Sequence, residues 1–528
     1  MKKTIKYMFL FIVTAVIFAA CFKDNGNYNY LSEEEVGDII IDTIGVANPY
    51  LLLQEHPIGA HIEFELYVDY RYPENLKYYW LAYPYPYNPV QQGNAMVNPP
   101  ADTLGREKKL DWTVDLAAGW WSYAFVVEDT VRGLIKTREF TYGRIASPGA
   151  LPGIYLLSEY DGETDIDFYT SCLCLIYGTG PAGDKFTPRY YSSLHGNTLP
   201  GKPRLISYGT EHYYVFTEED GYRLNFAGLT LMDKFDQMFY DAPTYNPQAL
   251  NYINSAEFLI NDGKLHVLYS SRANDRKFSA PIAGNYMAST HLSTMTRTSY
   301  SPVLGAIGAD QVIFDDRNLA FRPYFPLALT MGQFKPTLPD ANADANHFPA
   351  KPVASFSSNG GRTYSIVPNN GKMYLYIMNF YNVADNGDLS GNGSNSIIDL
   401  SGCEGINQAK YFCSSTAGSV FFYATDKAAY SFSPTSGQTT AIKMYECTGD
   451  EVITCLQQMI SGGFPTQGCV FWAAVWSESA KEGRLVEIEI DPYSGAARSQ
   501  YGGQFGNTVT QNPRIIPGFG KIKSMTLK

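Results

Sequence analysis

Short runs of alternating apolar and polar residues, separated by turn-forming residues, fill the chain from about Tyr28 to Ile145. Runs of this length and period are typical of half-buried β-strands. Clusters rich in proline, asparagine and glycine lie between them, notably at 85–89 and 98–105. About 120 residues of this kind predict a two-sheet sandwich of immunoglobulin-like size, which we assign to residues 21–146. The predicted strands are Asp38–Gly45, His61–Tyr70, Lys77–Tyr83, Trp121–Glu128 and Lys136–Tyr142.

The remaining chain, residues 147–528, repeats a strand–turn–strand unit. Each unit joins an apolar strand to an alternating one, as in Val420–Ala424 followed by Ala428–Phe432. The units recur about every 50 residues, the spacing of propeller blades with several strands each. The repeat is marked by turns at Asp161-Gly162, Asp220-Gly221, Asp262-Gly263, Asp315-Asp316, Asn370-Gly371, Asp426-Lys427 and Glu482-Gly483.

These patterns predict an all-β chain, in which the N-terminal sandwich is followed by a β-propeller of about seven blades at residues 147–528. The alternative for this region is a pair of ordinary β-sandwiches. Turns also recur in sandwiches, but at the closer spacing of about 8–12 residues.

The first 20 residues have the layout of an export signal. Three lysines precede an apolar stretch, Tyr7–Ala20, which ends at Cys21. Small Ala19 and Ala20 before a cysteine are typical of a cleavage site whose cysteine is then acylated. We predict a signal peptide at 1–20 and lipid attachment at Cys21; the alternative is a plain secretory signal with an incidental cysteine.

Acyl chains on Cys21 would anchor the mature protein in membrane lipid, because each buried methylene contributes about 0.8 kcal/mol. No later segment offers the ~20 consecutive apolar residues that a spanning helix needs. We therefore expect an anchored protein rather than a spanning one.

The net charge limits the classes of binding partner, and the number of cysteines limits the disulfide bonds that can form. The formal net charge of −12 argues against binding nucleic acid or anionic lipid headgroups. Besides the predicted anchor Cys21, 7 of the 8 cysteines remain, and this odd number excludes a framework in which every cysteine is bridged. We interpret Cys172 and Cys174 as buried thiols. One or two bridges stay open among Cys403, Cys413, Cys447, Cys455 and Cys469.

Motifs of catalysis and of cofactor binding do not occur in the sequence. It has no Gly-x-Ser-x-Gly elbow, phosphate-binding loop or dinucleotide fingerprint, and no histidine or cysteine spacing of a zinc site. Asp340–Asn346 places oxygen ligands at alternate positions, but without the glycine and glutamate of a calcium loop. We predict no catalytic residue, no metal and no cofactor. A glycosidase carboxylate pair stays open, because only distance in space defines it.

Two aromatic groups are candidate ligand contacts. Tyr83, Tyr85 and Tyr87 alternate with prolines and could stack on sugar rings or peptide side chains, and Trp120 and Trp121 suggest the same role. Packing, or contact with a partner protein, is the alternative for both groups.

Four segments of the sequence form a distinctive set: Cys21-Phe-Lys-Asp-Asn-Gly-Asn-Tyr-Asn-Tyr30 with the following Glu-Glu-Val-Gly-Asp-Ile-Ile-Ile, Tyr78-Tyr-Trp80, Val126-Val-Glu-Asp-Thr130 with Gly133, and Gly153-Ile-Tyr-Leu-Leu-Ser-Glu-Tyr-Asp-Gly162. Together these segments resemble the PKD-like lipoproteins of Bacteroidota. The resemblance covers roughly the first 170 residues. Lys23 and Asp24 also resemble the tag that sends such lipoproteins to the outer face of the outer membrane. Where the family often has a Gly-Trp pair, this chain has Gly153 and Ile154.

The resemblance implies a surface lipoprotein that acts as an accessory subunit of a SusC/SusD-type TonB-dependent importer. Its partners would be the transporter and its lid lipoprotein, and it would capture or present a glycan or an oligopeptide. Two other functions stay open: a surface glycan hydrolase with paired carboxylates in the propeller, and a structural or adhesive lipoprotein.

Overall fold

The computed structural model of the chain describes residues 37–43, 55–86, 90–92, 95–97, 100–146, 148–151, 153–170, 185–253, 256–269, 276–292, 300–301, 305–306, 309–336, 343–358, 362–380, 387, 395–415, 418–435, 437–458, 469–499, 501–502, 508–509 and 512–528. Within these ranges the chain forms β-strands and their connections, one short α-helix and four 3-10 turns. The all-β prediction is confirmed. The predicted signal peptide, Cys21, Cys172 and Cys174 lie outside the described residues.

The described residues form two compact units. One comprises the residues up to 43, those from 61 to 112 and those from 121 to 142, and the other those from 55 to 60, from 113 to 120 and from 143 onward.

The strands up to residue 146 are β1 (Ile40–Asp42), β2 (Glu55–Pro57), β3 (His61–Glu65), β4 (Tyr67–Asp69), β5 (Leu76–Pro84), β6 (Val90–Gln92), β7 (Ala95–Val97), β8 (Asp102–Gly105), β9 (Lys109–Thr113), β10 (Gly119–Asp129) and β11 (Leu134–Ala146), with a 3-10 turn at Pro73–Asn75. Each of the five strands predicted in this region is present, and His61–Tyr70 is divided into β3 and β4.

The first unit has two layers of strands around an aromatic core. The sheet order β11–β10–β5–β8 forms one layer, and the pair β3–β9 belongs to the other. Trp80 of β5 is fully buried, and its ring lies 5.1 Å from that of Phe64 in β3 and 4.4 Å from that of Phe125 in β10. In β3 and β9 buried and exposed residues alternate, as expected for strands with one face on a core.

The second unit contains seven sheets of three or four strands among its described residues. The first three sheets are built from β12 (Ile154–Tyr160), β13 (Glu163–Thr170) and β14 (Lys185–Thr187); then β15 (Pro203–Tyr208), β16 (His212–Thr217), β17 (Gly221–Asn225) and β18 (Leu231–Lys234); then β19 (Pro247–Ile253), β20 (Ala256–Asn261) and β21 (Lys264–Tyr269). The helix α1 (Tyr190–His195) follows β14, and 3-10 turns lie at Pro148–Ala150 and Phe235–Met238.

The last four sheets continue the same order along the chain. The fourth sheet is β22 (Ala288–Leu292), β25 (Gln311–Asp315) and β26 (Ala320–Tyr324), with the small pair β23 (Tyr300–Ser301) and β24 (Gly305–Ala306) inserted. The fifth sheet is β27 (Ala354–Ser357), β28 (Arg362–Asn369), β29 (Lys372–Asn379) and β30 (Ser396–Asp399), and a 3-10 turn at Ile406–Gln408 precedes the sixth, which is β31 (Tyr411–Ser414), β32 (Phe421–Ala424), β33 (Ala428–Phe432) and β34 (Ile442–Glu446). The seventh sheet is β35 (Val452–Gln458), β36 (Val470–Ser477), β37 (Glu482–Glu489) and β40 (Arg514–Phe519), with the pair β38 (Tyr501–Gly502) and β39 (Thr508–Val509) inserted.

The last strand of the chain, β41 (Lys521–Leu527), does not extend the seventh sheet. It pairs antiparallel with β12 and completes the first sheet in the order β14–β13–β12–β41. β41 also contacts the first strands of the second and seventh sheets, β15 and β35. The first strands of the other sheets contact one another in chain order, from β15 through β19, β22, β27 and β31 to β35.

Neighbouring sheets share apolar cores. Seven clusters of buried side chains each draw on two sheets that follow one another, and the one between the seventh and first sheets includes Trp472, Ile154 and Leu527. Because each sheet packs on both faces, the second strands of the predicted units are buried along most of their length, and Ala428–Phe432 is buried at every residue. The prediction of about seven propeller blades stays a prediction.

Tyrosine hydroxyls bond to buried carboxylates of the next sheet. Tyr214 donates to Glu257 at 2.5 Å, between the second and third sheets. Tyr269 of the third sheet donates at 2.6 Å to Asp310, just before β25. Burial of an ionised group without partners is costly, so these bonds fix which sheet faces which.

Six of the seven predicted turns join two adjacent strands of one sheet, and the seventh is misplaced. At Asp161-Gly162, Asp262-Gly263 and Asn370-Gly371 both residues have positive φ, as two-residue hairpin turns require. Glu482 and Gly483, by contrast, lie within β37, and the turn is at 478–481. Gly483 is needed in the strand because a Cβ there would overlap the carbonyl oxygen of Gly520.

Candidate functional site

The aromatic residues predicted to bind ligand lie at one end of β5 and β10. In this pair Tyr83 is opposite Ser122 and Trp121 is opposite Pro84, so the Tyr83 and Trp121 side chains point to opposite faces of the sheet. Both are half-buried. Tyr85 is 44% and Trp120 48% exposed, and Tyr87 lies outside the described residues. Their role in binding stays a prediction.

Among the residues that the structure describes, the metal and disulfide candidates form no site. Of the calcium-like segment, the described part begins at Ala343, and there Asp344 accepts hydrogen bonds from the backbone N–H of Asn346 and pairs with His347. Within the described ranges no group of three or more potential ligands could hold a metal ion. Cys403, Cys413, Cys447, Cys455 and Cys469 are unbridged.

A cleft of about 680 Å³ opens between the first and seventh sheets of the second unit. Three chain segments meet in it: the β12–β13 hairpin turn, the β36–β37 turn, and the connection from β40 to β41. Its volume lies within the range of about 300–1,000 Å³ that is usual for small-ligand sites. The lining residues are Glu159, Tyr160, Asp161, Gly162, Arg189, Trp476, Glu478, Ala480, Lys481, Glu482, Gly518, Phe519, Gly520 and Lys521.

The cleft exists because β41 returns to the first sheet. Near the end of β40, Gly518 has φ of +97°, and the chain then enters β41 beside β12. A Cβ at Gly520 would lie 2.7 Å from the carbonyl oxygen of Glu159 and 2.8 Å from the Tyr160 ring, so only glycine fits this approach. Lys521 is thereby placed next to the seventh sheet.

Two half-buried aromatic residues line the cleft, one from each sheet, and each has a cation near its ring. The guanidinium of Arg189 lies 4.1 Å from the centre of the Tyr160 ring, and Lys521 Nζ lies 5.9 Å from that of Trp476. The Trp476 indole N–H donates to Glu478 at 2.9 Å. The ring orientations are therefore set by polar contacts around the cleft.

The lining charges are close to balanced. Four carboxylates face three cations, and several are paired: Arg189 lies 3.8 Å from Asp161, Lys481 bonds to Glu478, and Glu482 pairs with Arg484 at 3.2 Å. Lys481 and Trp476 hold the pKa of the Glu478 carboxyl below its usual value. A general acid needs a raised pKa, so Glu478 is suited to accepting hydrogen bonds and not to donating a proton.

A buried acid supports the Tyr160 side of the cleft. Asp167 of β13 accepts hydrogen bonds from the Tyr160 hydroxyl at 2.8 Å and from the backbone N–H of Arg189 at 2.7 Å. Burial raises the pKa of Asp167 from 3.8 to about 6, although these hydrogen bonds act in the opposite direction. Asp167 therefore positions Tyr160 and Arg189 without lining the cleft itself.

None of the cleft residues was predicted as a site from the sequence. The turns at Asp161-Gly162 and next to Glu482 were recognised only as hairpin turns. Their meeting depends on the pairing of β41 with β12, across more than 350 residues of chain. A local pattern does not encode a pairing of that range.

Comparison with known proteins supports the family resemblance of the N-terminal part. A sequence model of the PKD-like family matches residues 21–203. This confirms the resemblance for that range, about a third of the chain. No curated protein matches the sequence. Among the described residues, no helix has the length and apolar character needed to cross a membrane.

Solved structures that align with this chain include proteins from Bacteroides and Porphyromonas. A DUF4784 family protein from Bacteroides caccae has 8% identity and a TM-score of 0.27, and the alignment covers 83% of this chain and 91% of that one. PorZ, a surface component of the type-IX secretion system of Porphyromonas gingivalis, has 10% identity and a TM-score of 0.27, with 67% of this chain and 52% of PorZ covered. The extracellular domain of BT4673 from B. thetaiotaomicron has 12% identity and a TM-score of 0.26, with 71% and 50% covered.

Proposed function

We propose that this chain is a non-enzymatic, surface-exposed lipoprotein of the outer membrane, which binds a nutrient for a SusC/SusD-type importer. The observation that carries the binding role is the cleft between the first and seventh sheets. It has the volume of a ligand site, two aromatic rings and paired charges. It needs neither a cofactor nor a metal to bind a glycan or an oligopeptide.

The seven sheets of the second unit are the blades of a β-propeller in this proposal. Support comes from the cyclic order of contacts between first strands and from the seven shared cores. In closed propellers the chain ends commonly share a blade, so that no sheet edge is left at the closure. The pairing of β41 with β12 fits that arrangement.

The surface location and the partners rest on the sequence. The signal-like residues 1–20, Cys21 at the cleavage position and the PKD-like match from residue 21 are all consistent with an acylated outer-membrane protein. The transporter and its lid lipoprotein are the partners that the PKD-like resemblance implies.

Isolation of the tagged, lipidated protein from native outer membranes tests this role. Co-purification of a SusC/SusD-type pair at near-stoichiometric yield is the expected result. The matched control is Cys21→Ala, which is expected to lose the membrane association and the pair together. Recovery of the lipidated protein alone contradicts an accessory subunit in a stable complex, and favours a surface hydrolase or an adhesive lipoprotein.

A further inference from the structure

The cleft between the first and seventh sheets combines flat apolar rings with polar groups of both charges. Tyr160 and Trp476 come from opposite sides, and each is half-buried. The Arg189 guanidinium covers one face of the Tyr160 ring at 4.1 Å, so Trp476 is the ring that can bind the apolar face of a flat ligand. The rim of such a ligand must form hydrogen bonds.

The charges of the lining decide which ligands fit. Its carboxylates and cations largely neutralise one another, as in Arg189 with Asp161 and Lys481 with Glu478. An anionic ligand would lie next to four carboxylates, and a cationic one next to Arg189, Lys481 and Lys521. A ligand with no net charge avoids both repulsions.

Hydroxyl groups match these ion pairs especially well. A hydroxyl donates one hydrogen bond and accepts others, so it can donate to Asp161 or Glu478 while it accepts from Arg189 or Lys481. A vicinal diol can thus bridge a carboxylate and its cation without separating them. A peptide would instead need pockets for its side chains, and apart from the two rings the apolar side chains of the lining are Ala480 and Phe519.

We infer that the cleft binds a neutral oligosaccharide, which stacks a sugar ring on Trp476 and whose hydroxyls bond to the paired charges of the two hairpin turns. This inference rests on the proposed role of the cleft as the nutrient site. It narrows the ligand from a glycan or a peptide to an uncharged glycan.

Calorimetric titration of the lipidated protein, in a detergent without a sugar headgroup, tests the inference. The probes are the neutral hexasaccharides of glucose, mannose, xylose and galactose in their common linkages, galacturonate oligosaccharides, and a tryptic peptide mixture. At least one neutral oligosaccharide is expected to bind, more tightly than any uronate or peptide. Stronger binding of uronates or peptides, or no binding of a neutral sugar, overturns the inference.

Variants locate the binding. Trp476→Ala is expected to weaken the sugar affinity by about tenfold or more, as truncation of a central tryptophan commonly does, and Trp476→Phe is expected to lose less because it keeps a ring. The control is Tyr493→Ala, which removes an exposed aromatic side chain that does not line the cleft. Unchanged affinity in Trp476→Ala, or an equal loss in Tyr493→Ala, overturns the inference.

A second variant covers the case in which Trp476→Ala does not fold. Lys481→Asn removes one donor from an exposed turn, and asparagine tolerates the left-handed φ of 51° at this position. A several-fold loss of sugar affinity is expected, and unchanged affinity counts against the inference. A transporter that co-purifies without any sugar binding would refute the inference alone, whereas sugar binding without a transporter would refute the proposed transport role alone.

Discussion

At the scale of single residues, Asp167 makes the stability of the second unit depend on pH. Its folded-state pKa of about 6 lies above the ordinary value of 3.8, so the folded protein keeps a proton that the unfolded chain has released. Between these two values stability falls as pH rises, by up to about 3 kcal/mol at neutral pH. Below about pH 4 both states are protonated and this penalty vanishes.

Asp167→Asn is expected to remove this penalty. The variant should gain stability relative to the natural protein as pH rises from 4 to 6, and then keep a constant advantage up to about pH 8. Calorimetric unfolding temperatures at pH 4 and pH 7.5 measure the effect. Asp161→Asn is the control, because that carboxylate is 97% exposed. A stability difference between Asp167→Asn and the natural protein that does not change with pH would refute the prediction.

Substitution of Gly483 tests the close contact between β37 and the backbone just before β41. In Gly483→Ala the new methyl group would overlap the carbonyl oxygen of Gly520 and lie 3.0 Å from that of Phe519. Backbone cannot move aside cheaply, so we expect a loss of about 2 kcal/mol or more in unfolding free energy. Gly105→Ala is the control, since its Cβ would meet side chains only at 3.8 Å. Equal unfolding temperatures for the two variants would show that the contact is relaxed.

The same residues show what sequence can tell at this scale. Asp161-Gly162 was predicted correctly as a turn, because both positions adopt the left-handed conformation that these residue types favour. The turn predicted at Glu482-Gly483, from a similar pair of residues, is wrong, because both lie within β37. There glycine serves a close approach to another strand, which no local pattern reveals. The pKa of Asp167 was equally unpredictable, since it depends on burial between sheets.

At the scale of elements, β41 is the strand on which the first sheet, the cleft and the contact with the seventh sheet all depend. Ile522 is 1% exposed and belongs to the core shared by these sheets, whereas the next residue, Lys523, is exposed. Ile522→Ala should cost about 2–4 kcal/mol of unfolding free energy, because it leaves a cavity. Lys523→Ala should change it by less than about 0.5 kcal/mol.

Limited proteolysis and urea unfolding measure this difference. In Ile522→Ala we expect early cleavage next to β41 and a lower urea midpoint, while Lys523→Ala should behave as the natural protein does. Equal behaviour of the two variants would mean that β41 is docked loosely.

The strands before residue 146 and the hairpins after it were predictable because their signals are local. The pairing of β41 with β12 was not, because it joins the two ends of the second unit.

At the scale of the whole molecule, the proposed seven-bladed propeller can be tested through the hydrogen-exchange protection of the strands that would close it. In an array of repeats each unit is stabilised by its neighbours, so the units at two open ends would exchange their amide hydrogens fastest. A closed ring has no such ends. The backbone bonds between Gly153 and Lys528, at 3.2 Å and 3.0 Å in the two directions, lie at the position where an open array would fray first.

Hydrogen exchange followed by mass spectrometry distinguishes the two arrangements. For a closed ring we expect the amides of β12 and β41 to be protected as strongly as those of the β28–β29 hairpin in the fifth sheet, which lies far from the chain ends in sequence. For an open array, protection should fall from the fifth sheet toward the first and the seventh. Ile522→Ala sharpens the test: in a ring it should lower protection in the first and seventh sheets together, because both pack on the same residue, whereas a change confined to β41 would contradict closure through this strand.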